Sequence, residues 1–178
     1  MSMNEYTNAH PEARIVQMAA FRVGSEEYVI DIMRIKEIIN PLKITGVPSA
    51  SALIEGVINL RGVIIPVIDL RKRFAVPLDR YFHQPKYIII ILSGRIVGLI
   101  ADEVLEVVRV PRNTIKPSPQ LSNDRLGSLC LGVCEYSGRL LLLIDVKKVV
   151  SPLFSLPGAF QGQVGPTKTK SASSLEGP

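Results

Sequence analysis

The sequence repeats itself, and this repeat limits the possible folds more than any other feature of the chain. The segment GVINLRGVIIPVIDLRKRF at residues 56–74 returns without a gap as GVCEYSGRLLLLIDVKKVV at residues 132–150, 76 residues later. An upstream block also repeats, because residues 21–39 align with residues 90–108 at a spacing of 69 residues. The second half must therefore carry seven extra residues between its blocks. The repeat predicts two halves built on one plan.

Short apolar runs fill both halves and are separated by glycine and proline. They are five to eight residues long and rich in Ile, Val and Leu, which is typical of β-strands. Glycines between two runs, at Gly24, Gly94 and Gly138, predict hairpin turns. Pro66 cannot donate to a ladder, so its neighbourhood is predicted to be a sheet edge or a bulge. Helix is predicted only in short pieces, near residues 32–35, 49–54, 70–74 and 146–153.

Each half holds four or five strands, and a small β-barrel is the usual way for so few strands to avoid exposed edges. A barrel of about 60 residues is marginally stable alone. We therefore expect an all-β chain of two small barrels that share an apolar seam and unfold together. The first should span about residues 15–80 and the second about residues 84–150, with possible exchange of strands or helices at the ends. The polar residues 1–14 and the tail at residues 155–178 should be flexible.

Composition excludes several classes of protein. Apolar residues make up 47% of the chain and charged residues 21%, which is incompatible with general disorder. The net charge of +5 is small for a protein that coats nucleic acid. The amino end is polar and no run approaches the roughly 20 apolar residues of a spanning helix. We expect a soluble cytoplasmic protein without membrane insertion.

The sequence carries few groups for catalysis or metal binding. Two cysteines, Cys130 and Cys134, are too few for a disulfide scaffold or a four-cysteine zinc site, and we interpret them as reduced packing residues. No nucleophile elbow, phosphate loop, dinucleotide fingerprint or zinc-protease motif is present. Asp69 and Asp145 are repeat equivalents, and each is predicted to cap the short helix that follows. We therefore predict no enzyme, no cofactor and no metal site.

Two groups of basic residues allow a functional interpretation. The run Arg71-Lys72-Arg73, joined by Arg80, is either a solvated face or a phosphate contact, so a double barrel that binds nucleic acid is the alternative function. Five Phe, five Tyr and no Trp make a poor stacking platform for bases. Asn59-Leu60-Arg61-Gly62 lies in a turn where the second half has different side chains. Arg61 there is either an anchor for a protein partner or an ordinary exposed arginine.

The segments GVINLRGVIIPVIDLRKRF, EEYVIDIMRIKEII and IVGLIADEVLEVV together resemble the CheW family of bacterial chemotaxis coupling proteins. The resemblance covers about residues 15–154 in order, and its pattern G-V-x-N-L-R-G-x-x-x-P-V-x-D-L-R is specific. It implies two five-stranded SH3-like barrels around a shared core, without catalysis. It also implies that the chain joins a CheA-type histidine kinase, through the kinase's similar regulatory domain, to the cytoplasmic tips of methyl-accepting chemoreceptors. Such a complex assembles in receptor arrays at the inner membrane.

The resemblance also implies a set of partner contacts. In the first half they fall on Ile35, Glu37, Gly56, Asn59, Leu60, Arg61 and Gly62, with Val107 and Gly132 as weaker counterparts in the second half. Strand alternation is expected to put Ile35 and Glu37 on one face, so that an apolar contact and an acceptor are presented together. The seam between the barrels would then receive the receptor's helical tip while Arg61 and Glu37 fix its register. A barrel end would pair with the kinase.

Overall fold

The computed structural model describes residues 14–47, 52–77, 85–117 and 125–154. The predicted flexible segments, apart from Arg14, therefore lie outside the described residues, as does Arg80. Strands dominate the described part of the chain: β1 (Ile15–Val23), β2 (Glu26–Asp31), β3 (Ile35–Ile39), β4 (Ile54–Leu60), β5 (Val63–Asp69), β6 (Lys86–Leu92), β7 (Arg95–Ala101), β8 (Glu103–Pro111), β9 (Lys116–Pro117), β10 (Cys130–Tyr136) and β11 (Arg139–Ile144).

The helices are short, as the sequence predicts. They are α1 (Leu70–Phe74), α2 (Arg125–Leu129) and α3 (Val146–Phe154), with single 3-10 turns at Ile32–Arg34 and Arg112–Thr114. The predictions near residues 70–74 and 146–153 are confirmed by α1 and α3, whereas α2 was not predicted. Residues 49–51 of the piece expected near 49–54 lie outside the described ranges, and Ile54 begins β4. No helix in the described residues is long and apolar enough to cross a membrane.

The strands form two sheets. Sheet 1 has the order β8-β1-β2-β11-β10-β9, and sheet 2 has the order β3-β6-β7-β5-β4. The three predicted hairpins all form, as β1–β2, β6–β7 and β10–β11. The all-β class with two β subdomains is confirmed, while closure of either sheet into a barrel stays a prediction.

The sheets exchange strands between the two halves of the sequence. The β1–β2 hairpin of the first half pairs with β8 and with β11 of the second half. The β6–β7 hairpin of the second half pairs with β3 and β5 of the first half. The sheets therefore do not divide the chain near residues 80–84, and the exchange involves the whole leading hairpin of each half.

The internal repeat reappears in three dimensions. The β4–β5 hairpin followed by α1 corresponds to the β10–β11 hairpin followed by α3. A bulge interrupts β4 between Ile54 and Gly56, and a matching bulge interrupts β10 between Cys130 and Gly132. Each hairpin joins the next sheet strand by a parallel pair, β5 with β7 and β11 with β2. The aligned sequence blocks thus fold into equivalent elements.

Three apolar clusters form the core. The shared cluster takes residues from both sheets, including Phe21 and Tyr28 of sheet 1 and Ile88 and Leu99 of sheet 2. A second cluster, the sheet 1 cluster, has all its buried residues on strands of sheet 1. A third, the sheet 2 cluster, has all its buried residues on strands of sheet 2. The shared cluster is the predicted apolar seam.

Pro66 lies beside a bulge and not at a sheet edge, which confirms one of its two predicted surroundings. Its strand β5 is internal, between β7 and β4, and the β4 bulge between Ile54 and Gly56 lies opposite Val67 and Ile68, next to Pro66. The opposite residue, Val57, makes both backbone hydrogen bonds with Thr45 instead, at 2.8 and 2.9 Å. Pro66 therefore belongs to a pair without ladder hydrogen bonds on that side. Pairing with β7 starts one residue later, at Val67, so the missing N–H of Pro66 costs no hydrogen bond in either ladder.

Candidate functional site

An ion pair joins the two outer strands of sheet 2. The guanidinium of Arg61, in the β4–β5 turn, donates to both carboxylate oxygens of Glu37 on β3, at 3.1 and 3.0 Å. Sheet 2 therefore curves enough to bring its outer strands together at this end. The side chain of Arg61 is 74% exposed, whereas that of Glu37 is 21% exposed. The structure thus brings together two predicted site residues that lie 24 positions apart.

The turn that carries Arg61 is built by its neighbours. Arg61 and Gly62 have φ values of 52° and 87°, the left-handed conformation that two-residue hairpin turns of this kind require. The side-chain oxygen of Asn59 accepts a hydrogen bond from the Gly62 N–H at 2.8 Å. Leu60 packs against the sheet 2 cluster. Asn59, Leu60 and Gly62 therefore hold the turn in place, and Arg61 projects from it.

The expectation that Ile35 and Glu37 share one face is wrong. A bulge lies between them, so Ile35 is opposite Ile90 and Glu37 is opposite Ile89. Directly opposite residues of two paired strands share a face, and successive residues of one strand do not. Ile35 accordingly packs against the shared cluster, to which Ile90 belongs, while Ile89 belongs to the sheet 2 cluster. One extra residue in β3 thus reverses the alternation that the sequence pattern suggests.

Gly56 and Gly132 are buried at their bulges. A Cβ on Gly56 would lie 2.4 Å from the backbone oxygen of Thr45, and one on Gly132 would lie 2.6 Å from that of Lys116. Gly56 also has a φ of 151°, which side-chain-bearing residues rarely adopt. Both glycines therefore allow another backbone segment to pack closely against the hairpin. They affect the outer surface of the hairpin only indirectly, through this packing.

The second half contains a counterpart of the Arg61–Glu37 pair that sequence reasoning missed. Glu106, the repeat equivalent of Glu37, accepts a hydrogen bond from Arg139, which also binds Glu27 at 3.0 Å. The bond to Glu106 and the nearby Glu27 raise the pKa of Arg139. Arg139 begins β11 just after the turn, so comparing turn residues alone overlooked it. The repeated acid was the signal that could have revealed it, and Val107, beside Glu106, is 48% exposed.

The two sheets end differently beside these ion pairs. At the end of sheet 1, Glu27 forms salt bridges with both Arg22 and Arg139. Arg22 also binds Glu103, and Arg139 also binds Glu106. In sheet 2 the repeat equivalents of Arg22, Glu27 and Arg139 are apolar. These equivalents are Ile91, Ile96 and Val63. Together with Leu60, which pairs with Val63, they form a surface that we call the apolar end of sheet 2.

The apolar end of sheet 2 is partly open to solvent. Ile91 pairs directly with Ile96, and Leu60 pairs with Val63. Val63 is 43% exposed and Ile91 is 44% exposed, while Leu60 and Ile96 pack against the sheet 2 cluster. Equivalent backbone positions thus carry salt bridges on one sheet and exposed aliphatic side chains on the other.

The basic run Arg71-Lys72-Arg73 is engaged within the protein. The first of these residues binds the buried Asp69 through two side-chain hydrogen bonds, at 3.1 and 2.8 Å. The second forms an ion pair with Glu55 of β4, and the third donates to two backbone oxygens of α3. The description of this run as a solvated face is therefore wrong. Its charges are largely neutralised or directed inward, which removes the main argument for a phosphate contact.

The remaining polar groups have structural roles. Asp69 accepts from the Arg71 N–H at 2.9 Å and Asp145 from the Lys148 N–H at 3.3 Å, so both cap helices as predicted. Cys130 and Cys134 are free thiols on β10, and burial raises the pKa of Cys134. Across the described ranges, no cluster of three or more His, Cys, Asp or Glu could hold a metal ion.

Comparison with known proteins places this architecture in a family. Residues 17–153 match the family model of the CheW-like domain. The chemotaxis protein CheW of Bacillus subtilis is 36% identical over 134 residues, which cover 75% of this chain and 86% of that protein. The chemotaxis protein CheW of Klebsiella aerogenes is 34% identical over 131 residues, covering 74% of this chain and 79% of that protein.

A solved structure agrees with these sequence relatives. The crystal structure of the scaffolding protein TtCheW from Thermoanaerobacter tengcongensis matches with a TM-score of 0.70 and 31% sequence identity. The match covers 82% of this chain and 93% of that chain. The repeat, the strand exchange and these matches lead to one assignment: the chain belongs to the CheW family of chemotaxis proteins.

Proposed function

We propose that the protein is a non-enzymatic adaptor that couples methyl-accepting chemoreceptors to a CheA-type histidine kinase. The observation that carries the proposal is the exposed Arg61–Glu37 pair beside open aliphatic side chains, on a chain of this family. A bidentate arginine–carboxylate pair holds the guanidinium in one orientation, which favours a defined contact with a partner. The adaptor would act in the cytoplasm, recruited to receptor arrays at the inner membrane.

The receptor surface would be the rim of the seam near β3 and the β4–β5 turn. Ile35 reaches the shared cluster from this rim, and Ile38 on the same strand is 42% exposed. Because Ile35 and Ile38 lie on the face of β3 opposite Glu37, an amphipathic helical tip would lie across the outer edge of β3. It would cover these aliphatic groups on one face, while Arg61 binds one of its polar groups on the other. Glu37 would hold Arg61 in place, and Asn59, Leu60 and Gly62 would hold the turn. Gly56 would contribute indirectly, by allowing the backbone of Thr45 to pack against the β4 bulge.

The second half offers weaker counterparts of these contacts. Val107 is the repeat equivalent of Ile38 and is similarly exposed, at 48%. Gly132 would shape its hairpin as Gly56 does. Arg139 is already shared between Glu27 and Glu106, so it is less available to a partner than Arg61. We therefore place the main receptor contact on the first-half surface.

The kinase surface would be the apolar end of sheet 2. The equivalent end of sheet 1 carries salt bridges across its strands, whereas exposed Val63 and Ile91 leave the end of sheet 2 without such cover. A regulatory domain with the same architecture could present a matching apolar end. Burial of exposed aliphatic groups on both partners is the main source of binding energy at such contacts.

Binding measurements with two single variants test this division of surfaces. Arg61→Glu should weaken binding of a chemoreceptor cytoplasmic fragment at least about tenfold, because a removed charge-assisted contact costs about 1.5–3 kcal/mol. It should weaken binding of the kinase regulatory domain much less, although Leu60 and Val63 of the kinase surface flank the Arg61 turn. Ile91→Glu should have the opposite selectivity. Leu140→Glu, at a 61% exposed leucine outside both surfaces, is the matched control.

A charge swap separates a partner contact from an internal role. If Arg61 binds the receptor directly, the double variant Glu37→Arg with Arg61→Glu should not recover receptor binding, although it can restore the internal ion pair. Recovery would contradict the direct contact. Unchanged receptor binding by Arg61→Glu in a protein with a native circular dichroism spectrum would contradict the receptor surface itself. Oligonucleotide binding that weakens with salt would favour the nucleic-acid alternative.

A further inference from the structure

A buried charged cluster lies where α1 meets the strand connections of both sheets, and the proposed function does not use it. Asp102 lies between β7 of sheet 2 and β8 of sheet 1 and is only 2% exposed. Its Oδ2 atom accepts a hydrogen bond from the N–H of Gly24, in the β1–β2 turn, at 2.7 Å. The N–H of Asp102 donates to the backbone oxygen of Arg22 at 3.0 Å. Asp102 thus fastens the β1–β2 turn of sheet 1 to the end of β7.

The same carboxylate faces a guanidinium that is already engaged. Arg71 of α1 binds both oxygens of Asp69, which is 3% exposed. The Nε atom of Arg71 is 3.6 Å from Oδ1 of Asp102, beyond hydrogen-bond distance. Two buried carboxylates therefore share one cation, and Asp102 is the less well compensated of the two.

The other charged groups around the cluster are paired elsewhere. Glu103, next to Asp102, binds Arg22 at 2.6 Å. Glu55 of β4 pairs with Lys72 of α1. The charges that act on Asp102 are thus those of Arg71 and Asp69. Burial raises the pKa of the Asp102 carboxyl and Asp69 adds to the rise, while the Gly24 N–H and Arg71 offset part of it.

The β1–β2 turn also packs against the residues that follow α1. Gly24 lies against Val76, just after α1, so closely that an added Cβ would be 2.6 Å from the valine Cγ1. Val76 itself is only partly buried. We propose that this junction is a pH-sensitive latch between the two sheets, which opens locally more often when Asp102 is ionised than when it is protonated.

The direction follows from linkage. A carboxyl that holds its proton more tightly in the closed state than in the open, solvated state favours closure when it is protonated. The opening equilibrium should therefore rise with pH, by up to about tenfold per pH unit, starting near the ordinary carboxyl pKa of about 3.9. It should level off above the raised pKa of Asp102. Ionisation thus loosens the connection between the β1–β2 hairpin and sheet 2.

Hydrogen exchange of the Gly24 amide tests the proposal, because that N–H is the donor to Asp102. Protection of this amide in the full-length protein is measured by NMR from pH 4 to pH 8, after correction for the intrinsic exchange rate. We expect protection to fall severalfold or more with rising pH and then to become constant. Asp102→Asn should abolish this pH dependence, since it keeps an acceptor oxygen but cannot ionise.

Asp31→Asn is the matched control. Asp31 is an exposed aspartate that also accepts from a backbone N–H, that of Met33 at 2.9 Å, and its replacement should leave the pH dependence at Gly24 intact. Constant Gly24 protection across the pH range in the unmodified protein would overturn the proposal. The same pH dependence in Asp102→Asn would also overturn it. If that variant fails to fold, the pH dependence of Gly24 protection in the unmodified protein still tests the proposal.

Discussion

Single residues in this protein act mainly through the backbone that they allow. Gly56 was expected to contact a partner, yet it is buried and its missing side chain leaves room for the backbone of Thr45. Gly62 is different, because it has open space around it and its role is the positive φ of the Arg61 turn. The resemblance assigned both glycines to the partner contacts, which stays a prediction, and the structure separates a packing role at Gly56 from a turn role at Gly62.

We predict that Gly56→Ala destabilises the fold by about 2–4 kcal/mol, through backbone strain together with a clash against Thr45. Urea unfolding followed by circular dichroism would measure the loss. Gly46→Ala is the control, because an added Cβ there meets nothing within 4 Å and the backbone is not left-handed. Equal stabilities of the two variants would contradict the packing role, and a selective loss of partner binding in Gly56→Ala would restore the contact role.

At the scale of elements, the sequence predicted the local structure well because local chemistry determines it. Gly94 and Gly138 identified hairpins, and Asp69 identified the start of α1, since turns and caps depend on residues close in sequence. The bulge in β3 was not predictable, because it depends on how β3 pairs with β6. The partners of Arg139 and of the basic run were missed for the same reason: they come from other strands and helices.

The contact between α1 and α3 gives a prediction at this scale. Pro152 cannot donate to the backbone oxygen of Lys148 within α3, and Arg73 at 2.8 Å and the Ser151 hydroxyl at 2.9 Å donate to that oxygen instead. Arg73→Ala should therefore cost about 1–2 kcal/mol of stability. The cost should be smaller in a Pro152→Ala background, where residue 152 regains its N–H. A double-mutant cycle by urea unfolding measures the difference, and equal costs in both backgrounds would show that Arg73 does not compensate for the proline.

For the whole molecule, the exchange of strands decides how the chain is stabilised. The sequence indicated two similar halves and an apolar seam, and both are present. It could not show that each leading hairpin joins strands of the other half, because either arrangement gives the same repeat and the same apolar pattern. Sheet 1 contains β1 and β2 from the first half, and sheet 2 contains β6 and β7 from the second. Neither half of the sequence therefore holds a complete sheet.

This arrangement predicts that the two halves of the sequence cannot fold separately. Fragments 1–80 and 81–178 should each lack a cooperative thermal transition, because in each fragment one sheet would keep only a two-stranded hairpin, the other sheet would lack one, and the shared cluster would be incomplete. Mixed in equal amounts, they should recover a native-like circular dichroism spectrum, since all strand pairs can then form between the fragments. The intact chain should unfold in one transition. Cooperative unfolding of either fragment alone would mean that a half can complete its own sheet by pairing its leading hairpin within itself, and the strand exchange would then not determine stability.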